Sequence, residues 1–528
     1  MHPNLFLPRS SSSFEPINTA VVVGSITIAS ALAISFLVRY FEQQHPLDAV
    51  PGPPPVSFLL GNVMQSKGGL DSWHTTTAYP EPYLNWIQTY GGAVHYRELS
   101  SHFVLFSDPK ALQHIMVSNA ANYPRHALIR NFVADRLLGV GLLSSVGAHH
   151  DQQRKMLNPH FTPSQIKTFI PIFDEMATNA CNTTLHNAAL AGTPVDMLQF
   201  FRRLTLAAIG RTVFGFDFDQ HPDTIAAYEQ MNAPLPLWIQ IGLLFVPKFS
   251  FLPLPQLRAV QHAQHDLRRV ILAIIDAKRA STNTGDASDL LDLMLPHSTP
   301  QEALVHIMTF MAAGHDTTST GLSWVFGLLA SKPAIVARIR DEVARVTQAF
   351  GAINSWESVH ALAFTTAVVQ EALRYRTVVP TLMRRVVDCD DHVPMSDGSH
   401  VFLPKGTTVE HIPAAMHMNP RYWARPEEFI PERFLDGSPE WLADETLRGT
   451  KSHAFIFMPF SIGVGSCIGQ KLAMKEMSVF TAMFLSRYEF ALVPPVDLKP
   501  RFTMAVILPA KLVMTVSKVV EGSAPHGA

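Results

Sequence analysis

Between Thr299 and Lys332 the chain carries one uninterrupted helical pattern of about 32 residues, about 48 Å long. A body that houses such a helix must be large and built mainly of helices around it. The pattern opens on Thr299-Pro300-Gln301-Glu302, a capping box with proline at the first helical position, and Lys332-Pro333 stops it. Midway, Ala312-Ala313-Gly314-His315-Asp316-Thr317-Thr318 sets small residues, an acid and hydroxyls into an otherwise apolar run. Gly314 costs helix stability, and a threonine can bond a carbonyl one turn earlier and loosen the helix. Two readings stand: a hydroxyl-induced kink in a buried helix, or a groove for a small molecule in which Asp316 and Thr317 handle protons.

Downstream, Phe460-Ser461-Ile462-Gly463-Val464-Gly465-Ser466-Cys467-Ile468-Gly469 places one cysteine in a glycine-rich turn, and Gln470 to Lys475 opens a helical pattern behind it. The glycines let the backbone approach a flat ligand closely. A thiolate beside the positive end of a helix suits a haem iron. Cys181 and Cys389, the other two cysteines, are too scattered for a disulfide framework, which fits a reducing compartment.

With 47% hydrophobic and 16% charged residues, the 528-residue chain can bury a large core, and a net charge of −2 argues against dominant attraction to nucleic acid. Residues 56–520 read as one mostly α domain with small β-sheets (α+β), short strands falling at Ala93–Tyr96 and His102–Phe106. After a tail at 1–18, residues 19–38 carry no charge and are long enough to span a bilayer of about 30 Å. This favours a retained transmembrane anchor over a signal peptide, whose apolar region is shorter. Residues 39–55, with Pro51-Gly52-Pro53-Pro54-Pro55, form a stiff hinge, and 521–528 a C-terminal tail. The apolar stretch 233–256 is broken by five prolines, so it is either buried core or a contact with the bilayer surface. His150 and Arg154 share one face of a short helix. Glu371 and Arg374 lie three apart on another, and Pro431-Glu432-Arg433-Phe434 adds an arginine whose buried pairing would brace the region before the cysteine.

In the order A-G-x-D-T-T, E-x-x-R, P-E-R-F and F-x-x-G-x-x-x-C-x-G, the chain resembles the cytochrome P-450 superfamily of haem-thiolate monooxygenases, its fungal microsomal members in particular. The resemblance implies a single haem-thiolate monooxygenase domain, cytosolic, held to the endoplasmic reticulum membrane by a single-pass N-terminal helix. It implies that Cys467 is the axial thiolate of haem b, in a loop shaped by Phe460, Gly463 and Gly469. Asp316 and Thr317 would handle protons during oxygen activation, and His150, Arg154 and Arg385 would face the haem propionates. Glu371, Arg374 and Arg433 would form a structural triad. Phe310, Ala313, Val378, Val379, Leu382, Met504 and Ile507 would line an apolar substrate pocket. Two positions depart from the family: Gly465 stands where a cation is usual, and His150 where tryptophan is frequent. Gly465→Arg is therefore expected to keep or improve haem retention.

The spacing Gly463-x-Gly465-x-x-x-Gly469 is too long for a dinucleotide fingerprint, so electrons must come from a partner; the resemblance implies an NADPH-dependent flavoprotein reductase, with cytochrome b5 as an alternative donor. Lys471, Lys475, Arg154 and Lys155 are either a basic docking face for it or ordinary solvated cations. The function implied is insertion of one oxygen atom from O2 into a small apolar molecule of fungal secondary metabolism, terpenoids foremost. One alternative is an O2-independent haem-thiolate isomerase that rearranges peroxides, against which Asp316-Thr317 speaks; the other is a non-catalytic haem-binding membrane protein.

Overall fold

The computed structural model describes residues 45–67, 79–218, 222–233, 235–246, 248–281, 289–379, 381, 384–449, 453–503 and 506–519. The predicted anchor, both terminal tails, Leu382 and Met504 lie outside the described residues. Contacts divide the chain into residues 1–48 and 49–528, and the elements that position the site all belong to the second unit.

Eight helices matter most: α1 (Gly147–Leu157), α2 (Pro163–Ala180), α3 (Met197–Ile209), α4 (Pro255–Ser281), α5 (Pro300–Leu329), α6 (Pro333–Phe350), α7 (Ala363–Tyr375) and α8 (Gln470–Arg487). The long helix predicted from sequence is α5. Its capping box is formed, with Thr299 Oγ1 accepting from Glu302 N at 3.2 Å and Glu302 Oε2 accepting from Thr299 N at 2.8 Å. α5 lies between two apolar clusters, which is why it is apolar nearly all round. One gathers Phe173 of α2, Phe201 of α3, Phe326 of α5 and Phe480 and Phe484 of α8; the other joins Leu267 and Ile271 of α4 to Ile307, Met308 and Met311 of α5.

The small residues in the middle of α5 do not break it. Thr317 Oγ1 does bond back to Ala313 O at 2.7 Å, yet the helix runs through. Gly314 has a packing reason instead: a Cβ there would stand 2.5 Å from Ile209 Cδ1, so its absence lets α3 lie close. Gly321 does the same for α8, where a Cβ would stand 2.7 Å from Met477 Sδ.

The strands foreseen near residue 100 are β1 (Ala93–Glu98) and β2 (Ser101–Phe106); β3 (Arg385–Val386) and β4 (Thr408–Glu410) complete a four-stranded sheet in the order β1-β2-β4-β3. β1 pairs antiparallel with β2, β2 parallel with β4, and β4 antiparallel with β3, a register that fixes Arg385 opposite Val409. Among the described residues, three smaller sheets bring the fold to mostly α with small β-sheets, as predicted. Among the described residues no single helix is long and apolar enough to cross a membrane. Within the proline-broken stretch 233–256, Ile239 is buried in the core, while Trp238, Ile241, Phe251 and Leu252 are exposed.

Candidate active site

The cysteine loop is held by its own backbone. Cys467 N donates to Phe460 O at 2.8 Å and Ser466 N to Gly463 O at 3.1 Å. Gly463 is required twice over. Its φ is +69°, and a Cβ would lie 2.1 Å from Met116 O, so the loop rests directly on the backbone of the turn His114–Ser118. Phe460 packs against the large cluster of α2, α3 and α8. Ile468, beside the cysteine, packs into the other cluster together with Met311 and Ala312, which ties the loop to the middle of α5.

Cys467 is accessible to solvent, yet burial pushes its thiol above the ordinary range; a side chain at the floor of a recess has both properties. Backbone N–H groups of Gly469 and Gln470, at the start of α8, and the Arg154 guanidinium pull the other way. Gly469 has an ordinary φ of −86°, and a Cβ there would meet nothing closer than Cys467 Sγ at 4.0 Å. Glycine at 469 therefore answers no demand of the chain itself, and its bare face flanks the thiol.

On α5, Asp316 and Thr317 are partly buried. Burial disfavours an ionised Asp316, but the hydrogen bond from His315 Nδ1 at 3.2 Å and the charges of His315, Arg202 and Arg136 hold it below the usual carboxylate range. Arg202, half exposed on α3, stands 3.8 Å from Asp316 Oδ1.

Around Gly465 the structure assembles cations. Arg154 donates Nη1 to Ser466 O at 2.5 Å and Nη2 to Ser466 Oγ at 3.2 Å. Arg385 spends Nη1 on Tyr123 O at 2.8 Å, and its Nη2 would lie 3.0 Å from a Cβ at 465. Arg125, which no sequence motif pointed to, donates Nη1 to Leu142 O and Leu143 O, and its Nη2 would lie 3.5 Å from the same Cβ. None of the three has a carboxylate partner among the described residues. His150 is buried on α1, with Nδ1 3.3 Å from Asp151 Oδ1 and Nε2 buried without a partner.

The acid and arginines expected as a triad do meet, with a change of partner. Arg374 chelates Glu371 through Nε and Nη2 at 2.7 and 2.8 Å, and donates to the carbonyls of His417, Pro426 and Glu428, each at 2.9 Å. Arg433 stands 3.6 Å from Glu371, beyond a hydrogen bond; it bonds both oxygens of Asp444, at 3.0 and 3.2 Å, and Arg448 shares that carboxylate. The proposed pocket residues that are buried fall in two apolar clusters. Phe310 is buried against Phe161 and beside His306, while Val378 and Ile507 are joined through Ile507 N to Val378 O in the large core. Ala313 and Val379 are partly buried. Of the four candidate docking cations, Lys155 and Lys471 are exposed, Arg154 is engaged with Ser466, and Lys475 lies 5.1 Å over the Trp356 ring.

A recessed thiol in a glycine loop, an acid–alcohol pair on the crossing helix and an E-x-x-R lock behind them are the parts of one known architecture. The family model for cytochrome P450 matches residues 51–516. The chain belongs to the cytochrome P450 family. It is 28% identical to cytochrome P450 monooxygenase 91 of Postia placenta over 86% of this chain and 90% of that one. Identity to a ganoderic acid synthetase of Ganoderma lucidum is also 28%, over 88% and 92%. To cytochrome P450 4F12 of Homo sapiens it is 27%, covering 93% of each chain.

Cytochrome P450 proteins are oxidoreductases that bind haem through an axial cysteine thiolate, and the residues present fit that group. The accessible thiol has an open flank at Gly469, and metal binding would reverse the effect of burial on it by deprotonating it outright. Three arginines without carboxylate partners among the described residues, and the Nε2 of His150, unpartnered among them, are what a group bearing two carboxylates would satisfy.

Proposed function

We propose that this cytochrome P450 inserts one oxygen atom from O2 into a small apolar molecule, with electrons passed from NADPH by a flavoprotein reductase. Cys467 would hold haem b from one side, with Arg154, Arg385 and His150 at its carboxylates. Haem so held supplies the activation of O2; the chain's own part is to shape the site and move protons. The observation that carries the reading is the acid–alcohol pair on an unbroken α5. Thr317 spends its proton on Ala313 O, leaving the Oγ1 lone pairs free to accept. Asp316 stands beside it, kept ionised by His315 and Arg202, and the half-exposed Arg202 links that carboxylate to solvent. An enzyme that rearranged peroxides without O2 would have no use for this pair.

The substrate class proposed is a terpenoid of secondary metabolism, supported by the apolar side chains at the expected pocket positions and by the relative named for ganoderic acid synthesis. Anchoring to the endoplasmic reticulum membrane through residues 19–38 is supported by their length and lack of charge. The exposed Lys155 and Lys471 favour a small reductase contact, narrower than the four cations read from sequence. The test is turnover with a reductase under 18O2. One labelled oxygen per product, with NADPH consumption stimulated by substrate, is expected. Product without label would overturn the reading.

A further inference from the structure

His315 Nδ1 stands 3.2 Å from Asp316 Oδ1 and 3.5 Å from the Tyr228 hydroxyl, so one nitrogen faces both an acid and a phenol. We propose that Tyr228 is a positioning residue that makes Asp316 easier to protonate by competing with it for His315 Nδ1. The inference rests on the reading that Asp316 handles protons, and concerns what sets its proton affinity in this chain.

The fold fixes all three groups. Tyr228 lies on the helix Pro222–Met231, which packs on α4, and is 2% exposed. Its ring meets the His315 ring edge to face, with centroids 5.4 Å apart. Thr205 of α3 donates Oγ1 to His315 O at 3.2 Å and so holds the histidine backbone. Burial first, and then the charge of Asp316, push Tyr228 well above the ordinary phenol range, so its hydrogen stays on the oxygen. The nitrogen cannot satisfy both neighbours at once. Carrying a hydrogen, Nδ1 donates to Asp316 and favours the carboxylate; bare, it accepts from Tyr228 and leaves that carboxylate oxygen without its donor. The phenol therefore draws the ring towards the tautomer with Nδ1 bare, in which Asp316 takes up a proton more readily. The other charges facing the acid are the guanidiniums of Arg202, from α3, and Arg136, from the helix Ala127–Arg136. Arg202 stands 3.8 Å from Asp316 Oδ1, and Arg136 bonds the Met231 carbonyl at the end of the helix that carries Tyr228. A guanidinium keeps its proton near neutral pH, so the contact between phenol and imidazole is the adjustable part of the cluster.

The test titrates the Asp316 carboxyl by 13C NMR in the reduced, carbon-monoxide-bound holoenzyme. The protein is labelled at its aspartate carboxyls, and Asp316 is assigned by the resonance missing from Asp316→Asn. Tyr228→Phe, which removes one oxygen, is expected to lower the Asp316 midpoint by about half a pH unit, the size of a neutral hydrogen bond. His315→Phe, or the smaller His315→Leu, removes the donor and is expected to raise the midpoint by about one unit. Tyr228→Phe combined with either His315 variant should match that variant alone, because the phenol acts only through the ring. An unchanged midpoint in Tyr228→Phe, with unchanged circular dichroism, would overturn the proposal. So would a double variant in which Tyr228→Phe still shifts the midpoint. Asp316→Asn with wild-type product per NADPH would instead refute the proton-handling reading of Asp316, so the two failures are distinct.

Discussion

Gly463 concentrates two demands on one residue, a left-handed backbone and a 2.1 Å approach of its missing Cβ to Met116 O. Gly463→Ala must strain both, at a cost of at least about 1 kcal/mol, and the loop that pays it carries Cys467. A lowered haem:protein ratio and melting temperature are expected; wild-type values for both would show that the turn His114–Ser118 can retreat. Thr317→Ala acts differently, since it removes a hydroxyl without opening the fold. Product formed per NADPH is expected to fall about tenfold or more with haem content unchanged, read by parallel product and NADPH assays. At this scale Cys467, Asp316 and Thr317 stand out as candidates in the sequence because each lies inside a short pattern. Arg125 does not: its partners, Arg385 and Gly465, are hundreds of residues away, and nothing local marks a lone arginine after Tyr123-Pro124. For the same reason, Gly465→Arg alone no longer looks like an improvement. A Cβ at 465 would crowd Arg385 Nη2 at 3.0 Å, and the new guanidinium would join a cluster that is already all cationic.

The lock between α7 and the segment before the cysteine loop is the element on which the site rests. Glu371 and Arg374 are wholly buried, and Arg374 also reaches the carbonyls of His417, Pro426 and Glu428. Glu371 Oε1 in turn accepts from Ile430 N at 2.7 Å. Removing one partner of such a pair strands a buried charge, so Glu371→Ala is expected to destabilise the fold by about 3–5 kcal/mol, measured by denaturant unfolding. A loss below 1 kcal/mol would mean that water or Asp444 takes over Arg374. The E-x-x-R spacing announced the helix pair, and the P-E-R-F run announced Arg433. Asp444, the carboxylate Arg433 bonds, escaped notice because it comes from a separate helix, Pro439–Arg448, whose sequence looks like any exposed amphipathic turn. Likewise Gly314 suggested a loosened helix, whereas it admits Ile209, as Gly321 further along α5 admits Met477. Composition within one element cannot tell a weak helix from a closely packed one.

Across the whole molecule, buried histidines set how the fold responds to acid. Burial pushes His306 and His411 down to about 4 and His417 well below its ordinary value. Folded, these stay neutral; unfolded, they take up protons near pH 6.5. Their stabilisation is therefore complete above about pH 6.5 and is lost as pH falls towards 4, at up to about 4 kcal/mol per pH unit for three protons. His417 couples this to the site, since its Nε2 accepts from Met458 N at 3.0 Å just before the cysteine loop, and a protonated ring would lose that bond. Unfolding free energies should change little from pH 7 to 6.5 and steepen towards this slope by pH 5, and a flat profile down to pH 5 would contradict it. The architecture, mostly α around one long buried helix, was legible from length, capping and apolar run. The side-by-side placement of α1, β3 and the loop was not, because it depends on sheet register between distant strands. If Cys467 is the thiolate ligand of the haem, carbon monoxide reports that ligand directly. Reduced wild-type protein under carbon monoxide should show the thiolate-type Soret band, absent from Cys467→Ala. A wild-type band of the imidazole-ligated type, or a thiolate-type band that survives in Cys467→Ala, would contradict the account.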